Sequence, residues 1–258
     1  MRDPGLEQAI RAVGGVGALA RMIGISQPSV SNWSRVPPDR VVIVESLSGI
    51  DRAVLRPDLY GGAESAAVDE VDAARAREYA LLAVLLRCAP HADLLRRLAA
   101  LRRDDPSPLG RVHAALADAA ATTNVERVER EFFDLFIGVG RGELVPYASY
   151  YLTGFLNERP LARLRDDLGR LGIERVDGVT EPEDHAAVLC ETMAGLATGR
   201  LGNRAGADRE LFEKHVSPWM GRFFADLEAA QAAGFYRPLG TLGRLFIDVE
   251  SEAFTMAA

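Results

Sequence analysis

The sequence predicts an all-α protein in two parts, a small helix-turn-helix domain followed by a larger helical bundle. Three observations carry this. Apolar residues recur at helical spacing in nearly every periodic segment, and no stretch shows the period-two alternation of a half-buried strand. Residues 61–67, Gly-Gly-Ala-Glu-Ser-Ala-Ala, have the small-residue composition of a linker. Charge divides at the same place. Residues 1–60 hold seven Arg and six acids, a net of +1, which leaves −8 for the remainder of a chain whose total is −7. The expected organisation is therefore a domain at 1–60, a linker at 61–68 and a helical domain at 69–258.

In the first domain, residues 16–35 read Val-Gly-Ala-Leu-Ala-Arg-Met-Ile-Gly-Ile-Ser-Gln-Pro-Ser-Val-Ser-Asn-Trp-Ser-Arg. Ala20 is small where two helices must cross. Gly24 suits the turn because it takes positive φ without a Cβ clash. Ser26 is a good N-cap for the second helix. Val30 and Trp33, three apart, are expected on its buried face, opposite Leu19 and Ile23. Gln27, Ser31, Asn32 and Arg35 then point outward, and these are residue types that reach base edges and phosphates in a major groove. A net charge near +1 supplies little phosphate neutralisation, so a domain kept for packing or dimerisation stands beside the DNA-binding reading.

In the second domain the spacing predicts helices at 69–88, 91–103, 108–121, 124–137, 159–171, 181–198, 207–215, 219–233 and 238–256, with a turn at 201–206. Helix 124–137 carries Phe132, Phe133, Leu135 and Phe136 along one side. It runs into a loop with Gly138, Gly140 and Gly142, then a corner fixed by Pro146. Tyr147, Tyr150 and Tyr151 follow, apolar bodies with polar tips that suit an amphipathic peptide groove. Thr180-Glu181-Pro182-Glu183 fits a capping box with Thr180 as N-cap. Asp184 and Glu191, seven apart, would make an acidic stripe for guanidinium groups.

Composition excludes several classes. Net charge −7 disfavours general binding to phosphate backbones or anionic lipid. The two cysteines, Cys88 and Cys190, sit in apolar helical patterns and are expected to be buried. They offer neither a disulfide framework nor metal-ligand spacing, and no metal site is assigned. No run of about 18 apolar residues occurs, and the N-terminus lacks an apolar export core, so the expected location is the cytoplasm without membrane insertion. No Ser/His/Asp order, phosphate loop or Gly-Lys-Ser/Thr motif is present. No catalytic residue, nucleotide or other cofactor is therefore assigned, and the chain is not expected to be an enzyme.

Four segments in order resemble one family: the aromatic helix and Gly-rich loop at 131–145, Pro146-Tyr147-Ala148-Ser149, Glu181-Pro182-Glu183-Asp184-His185, and Phe212-Glu213-Lys214-His215-Val216-Ser217-Pro218-Trp219. They resemble the TorD/DmsD chaperones, which bind twin-arginine signal peptides of molybdenum enzymes before export. Residues 1–60 resemble the Cro/YdaS-like helix-turn-helix domains, including Val36-Pro37-Pro38-Asp39-Arg40 and Arg56-Pro57-Asp58-Leu59-Tyr60. The first resemblance implies a TorD/DmsD-type helical bundle. It also implies a signal-peptide site at Phe136, Arg141, Pro146, Tyr147, Ser149, Tyr150, Asp184, His185 and Glu191, and a partner in the signal peptide and body of a molybdenum enzyme precursor. Ala148 departs from the pattern, standing where family members often carry an acid. Residues 141–156 are similar to members associated with formate dehydrogenase. Three readings stay open beside this one: DNA as a partner through 16–35, a transcriptional regulator that uses the large domain as sensor, and a homodimer.

Overall fold

The computed structural model describes residues 2–57, 70–101, 104–174, 180–202 and 204–256. The expected linker at 61–68 and residues 58–60 of the Arg56–Tyr60 segment lie outside these. The chain forms two compact units, Met1–Ala67 and Val68–Ala258, each with its own apolar core.

The small unit holds helices α1 (Pro4–Ala12), α2 (Val16–Ile23), α3 (Gln27–Ser31), α4 (Val41–Ser48) and α5 (Arg52–Leu55), with a 3-10 turn at Pro38–Arg40. Its core is built from Leu6, Ala9, Leu19, Ala20, Ile23, Val30, Val36, Val41, Val44 and Leu55. Gly24 closes α2 in the left-handed region at φ 78°, and the Ser26 hydroxyl accepts from Ser29 N–H to start α3. Trp33 departs from expectation. Helix α3 ends at Ser31, so Trp33 packs half-buried from the following turn and not from the helix face. Arg56 is buried and donates to the Val36 carbonyl at 2.7 Å, which ties the end of the unit to the segment after α3.

The large unit contains α6 (Glu70–Arg87), α7 (Ala92–Ala99), α8 (Pro108–Thr122), α9 (Val125–Phe132), α10 (Ala148–Thr153), α11 (Arg159–Arg170), α12 (Ala186–Ala197), α13 (Ala207–Leu211), α14 (Met220–Ala229) and α15 (Tyr236–Met256). No β-strand occurs among the described residues. One isolated antiparallel bridge pairs Tyr147 with His185. Helix α6 buries Ala76, Tyr79, Leu82, Ala83 and Leu86, one face at i, i+3, i+4 spacing. That face meets α12, which is buried almost all round and forms the centre of the unit. Helices α14 and α15 pack together on the other side, through Phe223, Phe224, Leu239, Leu242 and Phe246.

Carboxylates fasten the ends of these helices. Glu250, 1% exposed, receives Arg75 through Nε at 2.8 Å and Nη2 at 3.0 Å, and the Tyr79 hydroxyl at 3.0 Å. Arg75 also reaches Asp72 and Asp208, so α6, α13 and α15 share one buried ion network. Glu131 accepts from the backbone N–H groups of Gly234, Phe235 and Tyr236 at 2.7 to 3.0 Å, satisfying donors at the start of α15 that have no partner inside the helix. Cys190 is buried, as expected, whereas Cys88 is exposed, because α6 ends at Arg87 and Cys88 falls in the turn beyond it.

Candidate functional site

The site grows from the end of α9. The helix expected to run from 124 to 137 changes register after Phe132, where Phe133–Ile137 form a π-helical turn. That turn rotates the side chains away from a single stripe. Leu135 becomes fully buried, Phe132 and Phe136 stay half-buried, and Phe133 and Ile137 turn outward. The turn ends at Gly138, φ 62°, whose N–H bonds the Phe133 carbonyl at 2.7 Å. The Gly-rich loop then folds back along the turn, with Glu143 N–H on Asp134 O at 3.0 Å and Leu144 N–H on Leu135 O at 2.8 Å. Gly142 is needed at this crossing, because a Cβ there would lie 2.6 Å from the Leu135 carbonyl oxygen. The Glu143 carboxylate holds the loop to the molecule by accepting from Gln231 and Ala232 N–H at 2.7 and 3.0 Å.

Next comes a helix that the sequence reading took for a corner. Helix α10 starts at Ala148, and its first turn is capped from a distance. The Asp184 carboxylate accepts Ser149 N–H at 2.8 Å, while Ala148 N–H bonds Asp184 O and Ala186 N–H bonds Pro146 O at 3.0 and 2.8 Å. This corrects two expectations. Helix α12 begins at Ala186 and not at 181. Its N-cap is His185, whose Nδ1 accepts Ala187 N–H at 3.1 Å, so the Thr180/Glu183 capping box does not form. The Asp184–Glu191 stripe does not form either. Asp184 precedes the helix and is 1% exposed, turned inward by the donor it satisfies, while Glu191 is exposed and paired with Arg87.

Two grooves flank this knot. The first, about 410 Å³, is lined by Phe136, Ile137, Arg141, Leu144, Val145, Pro146, Tyr147, Tyr150, Phe155, Leu156 and three glycines. Its rim is apolar and open: Phe155 is 70% exposed, Ile137 53% and Leu156 49%. The Arg141 guanidinium lies over the Tyr150 ring at 5.3 Å. The second groove, about 500 Å³, runs between α11 and α12 and is lined by the apolar Leu168, Ile173, Val188 and Leu201 together with Glu174, Glu181, Glu183 and Glu191 and with Arg87, Arg165 and Arg200. Arg165 Nε binds Glu183 at 2.8 Å, and Arg87 binds Glu191. The grooves adjoin at one hydrogen bond, from the Tyr147 hydroxyl to Glu181 Oε1.

The structure thus gathers Phe136, Arg141, Pro146, Tyr147 and Tyr150 around the first groove and places Glu191 in the second. Ser149, Asp184 and His185 line neither groove and lie beneath the junction. The Tyr147 ring meets the His185 ring edge-on at 4.9 Å. Burial, with Arg87 adding to it against the pull of Glu181 and Asp184, lowers the His185 imidazole below its ordinary value. The ring is therefore neutral near pH 7, as a cap that accepts through Nδ1 requires. Burial and then Glu181 raise the Tyr147 phenol, keeping it a proton donor. His215 and Trp219 are interior. His215 Nε2 pairs with Asp167 at 2.6 Å, and Trp219 Nε1 donates to His215 O at 2.8 Å.

Comparison with known proteins bears on both units. Residues 102–225 match the nitrate reductase delta subunit family, and residues 6–64 match the bacterial toxin YdaS family. The chain joins a TorD-like unit to a Cro/YdaS-like helix-turn-helix unit. Chaperone protein TorD of Vibrio cholerae serotype O1 is 30% identical over 126 residues, 45% of this chain and 57% of that protein. TorD of Shewanella loihica is 26% identical over 153 residues, 55% of this chain and 68% of that protein. TorD of Aliivibrio fischeri is 34% identical over 89 residues, 34% of this chain and 40% of that protein. The chain therefore spans a little over half the length of the first of these relatives. An Archaeoglobus fulgidus crystal structure, provisionally described as a redox enzyme maturation protein, aligns at TM-score 0.48 with 19% identity over 67% of this chain and 93% of that one.

Within the TorD-like unit, sequence reasoning missed Glu181 as a groove residue and Glu143 and Glu131 as loop fasteners. Each acts on partners 34 to 105 residues away, and no local pattern marks such a bond.

Proposed function

We propose that this chain is a chaperone that binds the twin-arginine signal peptide of a molybdenum oxidoreductase precursor in the cytoplasm, and assists cofactor insertion before export. The observation that carries the reading is the junction of two grooves, an open apolar one and a second whose apolar lining also carries four glutamates and three arginines. A signal peptide presents two adjacent arginines and then an apolar stretch, and the two grooves together offer glutamate carboxylates and apolar surface. No helix of the described residues is long and apolar enough to cross a membrane, which accords with a protein acting before translocation. By similarity of 141–156, the proposed client is a formate dehydrogenase.

Magnitudes assign the roles. Micromolar binding needs about −8 kcal/mol. An exposed Arg–carboxylate pair contributes about 0.2–1 kcal/mol, and burying one large apolar side chain about 1.5–3 kcal/mol. The apolar groove therefore supplies most of the affinity and the acids supply orientation. Asp184 and His185 act as positioning residues that hold Tyr147 and α10.

The test is calorimetric titration of the full chain with a synthetic peptide carrying Arg-Arg and an apolar stretch, against a scrambled control. Tyr147→Ala is expected to weaken binding by about tenfold or more, since it removes groove wall. Asp184→Asn is expected to do less, because Asn retains an oxygen acceptor for Ser149 N–H. The reverse ranking would sink this division of roles.

A second reading is favoured by the small unit. Gln27, Ser31, Asn32 and Arg35 are exposed, while Val30 anchors the opposite face of α3. A transcriptional regulator that senses unengaged signal peptide would use this face on DNA. Co-purification from native cytoplasm separates the two: an uncleaved precursor names the client, and protected DNA fragments without a precursor point to the regulator.

A further inference from the structure

We propose that Glu181 selects arginine over lysine in the bound peptide by exchanging its present partner, the Tyr147 hydroxyl, for an incoming guanidinium. This rests on the peptide-binding reading above and assigns its specificity to one residue. Glu181 lines the second groove, and Tyr147 lines the first on the other side of their shared bond. Two other acids of this groove already have cations, Glu183 from Arg165 and Glu191 from Arg87. Glu181 forms no ion pair among the described residues. Its hydrogen-bond partner is a neutral phenol on Oε1.

That state leaves Glu181 poised for a better donor. A guanidinium offers two parallel N–H groups with full charge and fills both carboxylate oxygens, whereas an ammonium is a point donor that fills one. The phenol is the weaker competitor, and burial and Glu181 together hold its proton in place, so it leaves as a neutral hydroxyl. Freed from Glu181, the Tyr147 ring keeps its contact with His185 and its place in the wall of the first groove. Recognition of the arginine and closure on the apolar segment would then be one event at one residue pair.

The experiment compares two peptides, one with Arg-Arg and one with Lys-Lys before the same apolar stretch, on full-length wild type, Glu181→Gln and Tyr147→Phe. Both substitutions are near-isosteric, and circular dichroism checks that each variant is folded. Wild type should prefer the arginine peptide by about tenfold. Glu181→Gln should reduce that preference to about twofold or less, with the lysine peptide little changed. Tyr147→Phe removes the competitor, so its affinity for the arginine peptide should hold or rise by about twofold. Retention of the full preference by Glu181→Gln, or a loss of arginine-peptide binding in Tyr147→Phe, would overturn the exchange and leave the peptide site standing. Binding of neither peptide by wild type would overturn the site and the exchange together.

Discussion

At the residue scale, buried polar groups do the positioning here, and their pH responses have opposite signs. His185 caps α12 through a neutral ring, and its folded pKa lies below its unfolded value of about 6.5. Its contribution is therefore complete above that pH and is lost as pH falls through the folded pKa. Amide exchange at Ala187, corrected for intrinsic rate, should accelerate as pH falls below the ordinary value of His185 and through its lowered one. Its staying constant would contradict the capping role. His113 behaves in reverse. Its bond to Glu78 at 3.0 Å raises its pKa against the effect of burial, so its contribution is complete below about 6.5 and fades as pH rises through the raised value. Glu250 carries a larger load. Glu250→Ala leaves Arg75 with Asp72 and Asp208 but removes its two bonds to Glu250 and the partner of the buried Tyr79 hydroxyl, and should cost about 1–3 kcal/mol in denaturant unfolding of the large unit. A cost under about 1 kcal/mol would mean that the network is replaceable. Little of this was legible in the sequence. Asp184 stood out, but as an acid facing solvent. Its inward turn depends on the start of α10, 35 residues earlier in the chain.

At the element scale, most helices follow from apolar periodicity, and the departures cluster at the site. Helix α9 was read as one continuous element because its composition is helical to Ile137. The π turn at Phe133–Ile137 is set by the loop that folds back on it, a tertiary cause that period alone does not carry. Helix α10 was missed for a related reason: it has six residues, and its cap comes from another segment. The start of α12 was misplaced because Thr180 and Glu183 satisfy a local capping rule, and the bridge between Tyr147 and His185 overrides it. The loop glycines divide by mechanism. Gly142→Ala places a methyl group 2.6 Å from a backbone oxygen and should cost about 1–3 kcal/mol, with loss of peptide binding. Gly140 takes φ 89° in open space, so Gly140→Ala should cost about 1 kcal/mol through strain alone and leave binding nearly intact. Equal effects of the two on peptide affinity would contradict the close packing of the loop.

At the scale of the molecule, the two units close separate cores, and the all-helical character was legible in the sequence. The division expected at 61–68 rests on composition, where a small-residue stretch and a change of charge coincide. The grooves were less legible, since their walls come from α6, α11, α12 and the Gly-rich loop, which are far apart in the chain. Leu19 is fully buried in the small core, so Leu19→Ala should destabilise that unit by about 2–5 kcal/mol. In calorimetry one transition should fall and the transition of the large unit should stay in place. A single transition that moves as a whole would show that the cores unfold together.

The most direct measurement is amide hydrogen exchange of the full chain with and without the Arg-Arg apolar peptide. New protection is expected in two stretches, 136–156 and 181–192, with the rest of the large unit unchanged. Protection confined to other segments, or none at a peptide concentration that saturates binding, would contradict the placement of the site.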